Sequence, residues 1–515
     1  MAGAEVLVFL LVAVAVLAGI ALRQDVPYPI VLVLGGLALG FVPGLPAPEL
    51  EPDVVFFAFL PPLLYAAAFQ ASAYELRANA GPIALLAVGL VVATVVAVAV
   101  VAHHLIGLPW AVAFVLGAVV GPTDPVAASA VLSRLGAPAR IRTILEGESL
   151  INDGTGLTAY GLALAAVGTT VTAGDVVLDF VVKAAGGIAI GLAAGWLFGR
   201  LRGATREPSI DLVLSILTPF VAYVPAEKVH VSGVLAVVTA GVVIGTRSQE
   251  LAEAGARVRT LAFWQSADFL LNSLLFLLIG LQLVDLVEGV DDKELLELAA
   301  VALVVAAVVL GVRLAWMFVV PAIAHLRIVA REPTGMPERL LLGWCGMRGG
   351  VSLAAALAVP AAVGERELVI LIAYGVVLVT LVLPGLTLAP LIRALGLGQS
   401  EERRRQEVEA RMRLTHAALE RFDETGEHGD LPAPDVERLR ARYQARLDRL
   451  RDRLEQAGGH PDHGTEAAQA AIQALEAERG VLREMRRERA FPAELLRELE
   501  AEIDVDEARA RSRGR

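Results

Sequence analysis

Residues 121–125 read Gly121-Pro122-Thr123-Asp124-Pro125, and residues 146–156 read Glu146-Gly147-Glu148-Ser149-Leu150-Ile151-Asn152-Asp153-Gly154-Thr155-Gly156. Both stretches sit inside runs of Val, Leu and Ala long enough to cross a bilayer, and that setting decides the fold. Two prolines three residues apart remove two backbone donors and prevent regular helical hydrogen bonding, so the helix must break at 121–125. In lipid a break is tolerated only where protein buries it or where it lines a cavity, and its freed half-helix ends become ion ligands. The plainer alternative is a proline kink with Asp124 capping the second half-helix.

The second stretch stays helical. On a helix of 3.6 residues per turn, Glu148, Ser149, Asn152 and Asp153 gather on one side. They offer two carboxylates, an amide and a hydroxyl, all oxygen donors, which suit a hard cation and give no soft cage for zinc or copper. A charge at a helix centre costs about 2.5–3.5 kcal/mol on insertion scales, so such residues are functional by default. Gly154 and Gly156 lack side-chain bulk and let another backbone approach.

Two cations complete the set. Arg313, between Val312 and Leu314, cannot readily be neutralised and needs an anionic partner. Glu148 is the candidate. Arg348 lies in Gly343-Trp344-Cys345-Gly346-Met347-Arg348-Gly349-Gly350, a glycine-rich interruption of another apolar run. It is placed either to neutralise the carbonyl end of a half-helix or to snorkel towards the cytoplasm. A second broken helix seven spans after the first is what an inverted repeat of about six helices generates.

Outward from these motifs, the 515 residues are 56% hydrophobic and 19% charged, with 48 Gly and one Cys, and the mean hydropathy is +0.64. That is too apolar for a soluble globular chain, and one Cys excludes an internal disulfide framework. Residues 1–398 hold 21 Lys and Arg and 28 Asp and Glu; residues 399–515, under a quarter of the chain, hold 23 and 27. The two parts belong to different solvents, and neither has the basic field that nucleic acid binding needs.

A bilayer core of roughly 30 Å takes about 20 apolar residues per helix. About thirteen segments fit before residue 398: 4–22, 28–42, 54–70, 81–102, 108–133, 141–166, 176–199, 210–224, 231–246, 262–286, 295–320, 340–363 and 368–394. The first carries Glu5 rather than a basic n-region and has no Ala-x-Ala pattern, so it reads as a membrane helix and not a signal peptide. Alternate connections collect fourteen arginines (23, 77, 134, 140, 142, 200, 202, 206, 247, 257, 259, 327, 331 and 339), against Lys228, Lys293 and Arg366 in the others. The acid-rich second set includes Glu49, Glu51, Asp53, Asp291 and Asp292. That bias places the N-terminus outside and the C-terminus in the cytoplasm.

The tail, 399–515, shifts to Glu, Arg and Ala, with a loop at 423–435. Val436, Leu439, Tyr443, Leu447, Leu450 and Leu454 recur at amphipathic helical spacing. Ile472, Leu475, Leu482 and Met485 suggest a second helix, and Leu495, Leu499 and Ile503 a third: a solvated helical bundle or short coiled coil. Elsewhere, Asp179 and Lys183 are spaced to pair, Asp211 to cap its helix, and Asp268 to bond Asn272. His103, His104 and His230 fall in external loops.

Together, 121–125, Glu148-Ser149-Leu150-Ile151-Asn152-Asp153, Arg313 and Gly346-Met347-Arg348-Gly349 resemble the prokaryotic sodium/proton antiporters of the first monovalent cation:proton antiporter family, relatives of the mammalian sodium/proton exchangers. The resemblance extends through His230-Val231-Ser232-Gly233-Val234-Leu235-Ala236 and Leu271-Asn272-Ser273-Leu274-Leu275-Phe276, and so covers the whole membrane part. It implies an all-α polytopic fold of thirteen helices with two broken, crossing helices, usually homodimeric. An ion-transporting core, about 81–166 and 295–394, would lie beside a dimerisation part, about 1–70 and 176–286. It also implies that Asp153 binds the ion, that Thr123, Asp124 and Ser149 contribute to the site, and that Glu148 pairs with Arg313, with Asn152 and Arg348 organising the site. Asn at 152, where a related branch has Asp, goes with electroneutral exchange. Asp268 stands where relatives carry Glu.

The expected activity is secondary antiport of sodium or lithium against protons across the cytoplasmic membrane, with no cofactor, no enzymatic reaction and no nucleic acid partner. Burial of a bare carboxylate is costly and a bound cation offsets it, so one carboxylate holds either ion in turn. A potassium/proton antiporter would use the same oxygen ligands. A passive cation channel would want a repeated pore ring, and an intramembrane aspartyl protease would leave Arg313 without a role.

Overall fold

A computed structural model describes residues 3–24, 26–43, 52–168, 173–205, 207–251, 254–287, 291–323 and 335–398, and in the tail 408–409, 411–421, 433–455, 475–476, 478, 480–481 and 507. The chain divides into two compact units, Met1–Gln399 and Ser400–Arg515. Among the described residues the first unit is helical throughout, without strands. Its helices are α1 (Gly3–Gln24), α2 (Tyr28–Gly40), α3 (Pro52–Gln70), α4 (Ala73–Ala78), α5 (Ala80–Ile106), α6 (Trp110–Val120), α7 (Val126–Leu135) and α8 (Ala139–Gly168). They continue as α9 (Ala173–Ala204), α10 (Pro208–Lys228), α11 (Gly233–Leu251), α12 (Ala254–Val287), α13 (Asp292–Ile323), α14 (Met336–Trp344), α15 (Gly350–Leu357) and α16 (Arg366–Ala394).

Each of the thirteen apolar segments coincides with a helix or a pair of half-helices, and eight of the helices are long and apolar enough to span a bilayer by themselves. The segment 108–133 splits into α6 and α7 at 121–125, and the segment 340–363 splits into α14 and α15 at 345–349. The second pair ends at Leu357, not 363. Hydropathy did not signal the short α4. Nor did it signal the widened turn of α3 over Val55–Phe59, where Leu60 N–H reaches back five residues to Val55 O. Pro61 and Pro62 follow directly, and neither has an N–H to give.

Two apolar clusters hold the unit together. One gathers α5–α8 and α13–α16 with α1, α2 and the Leu275–Leu281 stretch of α12. The other joins α3, α9, α10 and α11 to Trp264 of α12 and Leu150 of α8. The outer faces of α1 and α9 carry Leu7, Val8, Val12, Leu178, Val181 and Trp196 half or more exposed, a surface suited to hydrocarbon rather than water.

In the tail, Ala433–Glu455 is helical and buries Leu447 and Leu450, as their spacing predicts. Glu49, Glu51, Arg206, Arg327, Arg331, Ile472, Leu482, Met485, Leu495, Leu499 and Ile503 lie outside the described residues, as does the loop expected from 423 to its overlap with the helix at Ala433. The side chains of Asp292, Val436 and Leu454 lie outside them as well.

Candidate functional site

The two unwound stretches meet. Asp124 N–H donates to Met347 O at 2.9 Å, which joins 121–125 to 345–349 by a backbone hydrogen bond. Four half-helix ends therefore converge: the carbonyl ends of α6 and α14, carrying partial negative charge, and the N–H ends of α7 and α15, carrying partial positive charge.

Charged side chains answer each end. Arg348, fully buried, donates through Nη1 to the Gly121 carbonyl at the close of α6. Of its two expected placements, this is the carbonyl-end one. Arg313 Nε donates to Leu342 O in the last turn of α14 at 3.0 Å. Asp124 serves the opposite ends. Its Oδ1 accepts from Val126 N–H at the start of α7 at 2.9 Å, and the Gly350 N–H at the start of α15 also donates to this carboxylate. Position 349 leaves no room for a side chain: a Cβ there would lie 1.8 Å from Asp124 Oδ2, so the Asp124 carboxylate would have to shift.

Helix α8 runs past this crossing. Glu148 is paired as the sequence predicts, with Arg313 Nη1 2.5 Å from Oε1 and Nη2 2.8 Å from Oε2. Thr123 Oγ1 donates to the same Oε1 at 2.9 Å and accepts from Asn152 Nδ2 at 2.7 Å. Glu148, Thr123 and Asn152 are thus bonded to one another on the side of α8 that faces the crossing. Gly156 lies under the Pro122 ring, where a Cβ would meet Cγ at 2.1 Å, and Gly154 lies against Leu235. The approaching groups there are side chains, not backbone.

Asp153 differs. It is 6% exposed, and among the described residues it makes no hydrogen bond or ion pair with the protein. It lines a cavity of about 100 Å³ together with Ser149, Thr123 and Asp124, enough space for a few waters or a partly hydrated small ion. The far wall comes from α3 and α12, including Leu60, Leu64, Asp268 and Asn272. Among the described residues, all the ionisable ones in the lining are acids: Asp124, Glu146, Asp153 and Asp268.

The predicted residues thus fall into two groups. Glu148, Arg313, Arg348 and Asn152 form the bonded frame. Asp153 and Ser149 face the cavity, and Thr123 and Asp124 belong to both groups. The place of Asp268 and Asn272 in the cavity wall was not foreseen, although their mutual bond was: Asn272 Nδ2 donates to Asp268 Oδ1 at 3.0 Å. The signal available was their spacing on a helix expected to lie elsewhere in the fold.

Away from the cavity, Lys183 pairs with Asp179 at 2.7 Å, as expected. Asp211 does not cap its helix. It receives Arg202 Nε and Nη2 at 2.7 and 2.9 Å and Thr260 Oγ1 at 3.3 Å, because the turn between α9 and α10 brings the guanidinium onto it. His103 and His104 lie in the last turn of α5 rather than in a loop, with the His103 ring stacked on Trp110 at 4.1 Å.

Comparison with known proteins agrees with this architecture. An uncharacterised sodium/proton exchanger of Mycobacterium tuberculosis (strain ATCC 25618 / H37Rv) is 34% identical over 98% of this chain and 96% of its own length. The low-affinity sodium/proton antiporter NhaS1 of Synechocystis sp. is 33% identical over 83% of this chain and 80% of its own. Among solved structures, the sodium proton antiporter MjNhaP1 of Methanocaldococcus jannaschii at pH 8 covers 78% of this chain and 100% of its own, with a TM-score of 0.62 at 20% identity, a likeness of fold. The family model described as "Sodium/hydrogen exchanger, transmembrane" matches residues 8–394, and the chain belongs to that family of multi-pass membrane transporters.

Proposed function

We propose that the protein exchanges sodium, or lithium, for protons across the cell membrane, one for one, at Asp153. The observation that carries this reading is the charge count at the crossing. Arg313 and Arg348 balance Glu148 and Asp124, and the partial charges of the half-helix ends come in equal and opposite pairs. Among the described residues that meet at the crossing itself, Asp153 is the charge left over, buried and with no hydrogen bond or ion pair to the protein.

A bare carboxylate in such a place bears the full cost of desolvation. Either a proton or a monovalent cation cancels its charge, and the two exclude each other. Ser149, the remaining lone pair of the Thr123 hydroxyl and the cavity side of Asp124 supply further oxygens for a hard cation. Asn152 holds Thr123 in place and adds no charge, which favours electroneutral exchange. When only the neutralised site can cross, each cycle carries one cation one way and one proton the other, without leak.

In this reading 81–166 and 295–394 form the moving core. The parts 1–70 and 176–286 form the fixed, dimerising side, and the protein acts as a homodimer. The arginine-rich connections face the cytoplasm, so the N-terminus is outside and the tail inside, and an inward proton gradient expels sodium. The exchanger and antiporter relatives support the reaction class.

The test is proton efflux from acid-loaded vesicles on adding sodium, lithium or potassium, for the intact protein and for Asp153→Asn. Sodium-dependent alkalinisation is expected, and the substitution abolishes it. Lowering the pH raises the half-saturating sodium concentration without lowering the maximal rate, the mark of competition. Exchange retained by Asp153→Asn refutes the site, and cation flux without proton movement refutes the mechanism. A response to potassium but not sodium reassigns the ion.

A further inference from the structure

Asp268 and Asn272 have no part in the exchange just described, yet they line the same cavity as Asp153. Asn272 is 4% exposed and Asp268 half-buried, and both line the cavity. Asn272 spends its N–H on Asp268 Oδ1. That leaves Asp268 Oδ2 and the Asn272 side-chain carbonyl without a hydrogen bond among the described residues, in a cavity lined by no Lys or Arg. A cavity-lining carboxylate oxygen and an amide carbonyl four residues apart on one helix face form a two-oxygen donor set for a hard cation. An amide oriented by its own carboxylate neighbour is a built arrangement, since its carbonyl is held turned away from Asp268 Oδ1.

Position along the helices points the same way. Leu275 of α12 packs against Gly350 at the crossing, and Asp268 lies seven residues earlier, about two turns or 10 Å along the helix. Glu146 stands seven residues before Asp153 on α8, its side chain 43% exposed and its Oε1 4.0 Å from Arg142 Nε. Asp268 therefore lies about as far along α12 from the crossing as Glu146 lies along α8 from Asp153, on a helix that does not carry Asp153.

We propose that Asp268, with the Asn272 carbonyl, is a loading site that takes a monovalent alkali cation from the cavity mouth and passes it across to Asp153. This rests on Asp153 being the exchange site. The argument for it is electrostatic. A cation entering a space of about 100 Å³ sheds most of its water before Asp153 can hold it, and a second carboxylate on the route offsets that loss. Because α12 belongs to the fixed side, Asp268 does not travel with Asp153. It serves the site only while the cavity faces the side on which it is open. Asp268 thus sets cation affinity on one face of the membrane and not on the other.

The experiment measures the half-saturating sodium concentration from each face, in right-side-out and inside-out vesicles, for wild type, Asp268→Asn, Asp268→Glu and Asn272→Ala. Asp268→Asn is expected to raise it roughly three- to tenfold on the cytoplasmic face, the range for removing one partly screened charge, and to leave the external value unchanged. Asp268→Glu restores it, and Asn272→Ala moves it in the same direction by less. An unchanged value on both faces, an equal rise on both, or a loss as complete as that of Asp153→Asn overturns the proposal. If Asp268→Asn does not fold, Asn272→Ala carries the same sided test. Failure of the exchange site itself appears separately, as activity surviving in Asp153→Asn.

Discussion

Among the described residues of the membrane part, two buried arginine–carboxylate pairs stand out, Arg202–Asp211 and Arg313–Glu148, and the contrast between them bears on the proposed exchange site. At the junction of α9 and α10, Arg202 holds Asp211 in a bidentate pair, Thr260 adds a third donor, and Trp264 Nε1 and Tyr65 surround the adjoining Ser215 at 2.9 and 3.5 Å. Every carboxylate oxygen there is bonded and no acid is left over. At the crossing, Arg313 also holds Glu148 with two hydrogen bonds, through Nη1 and Nη2 rather than Nε and Nη2, but Asp153, five residues along the same helix, is left out of the balance. Both pairs are frames. Only the second frame has beside it a charge that it does not cancel, and in the proposed mechanism that residual charge is what the exchanged ion occupies.

Breaking either frame has the largest expected effect on stability. Arg313→Ala and Arg202→Ala each strand a buried carboxylate, which costs about 3–5 kcal/mol. Arg313→Ala is expected at the upper end, since it also frees the Leu342 carbonyl. Thermal unfolding in detergent, read beside exchange in the surviving folded fraction, separates the two. Folded Arg202→Ala should keep the wild-type half-saturation for sodium, whereas Arg313→Ala should not. Equal exchange defects in both variants would erase the distinction between the two pairs.

A finer break is Gly349→Ala. Its methyl would collide with the Asp124 carboxylate and push it off the start of α7, an overpacking cost of about 1–3 kcal/mol. The expected outcome is a folded protein with lowered thermal stability and a raised sodium half-saturation. Wild-type values for both would mean that Asp124 does not set the shape of the cavity.

Much of this was legible from residue order, and for definite reasons. Pro122 and Pro125 abolish particular hydrogen bonds wherever they occur, so the break at 121–125 followed from local chemistry. Arg313 keeps its charge in any surroundings, so a buried anion had to answer it, and Glu148 was the candidate on chemistry alone. The carbonyl end met by Arg348 was one of two readings, and packing decided between them. What escaped depended on distances that no spacing encodes. Asp211 looked like a helix cap because its neighbours in sequence are the first turn of α10, yet a turn brings Arg202 onto it. The spacing of Asp268 and Asn272 predicts a local pair, but their sharing a cavity with Asp153 is a property of how α12 packs against α3 and the crossing. The widened turn of α3 at Val55–Phe59 has only the following prolines to announce it.

The smallest effect sharpens the contrast from its other end. Asp179 and Lys183 form an i, i+4 pair on α9 at 2.7 Å, a shorter separation than some contacts in the buried frames, with side chains 41% and 30% exposed. Distance alone would rank it with Arg202–Asp211. Exposure ranks it far lower, because solvent screens the attraction and the flexible lysine loses rotamer freedom when held, leaving about 0.3–0.5 kcal/mol. Asp179→Asn is therefore expected to shift thermal unfolding by no more than a degree or so, on the order set by such an energy in a protein of this size. Its exchange rate should match the wild type, and the shift should vanish in high salt. A loss approaching that of Arg202→Ala would mean that proximity rather than desolvation governs ion pairs in this protein, and the charge count that singles out Asp153 would then lose its physical basis.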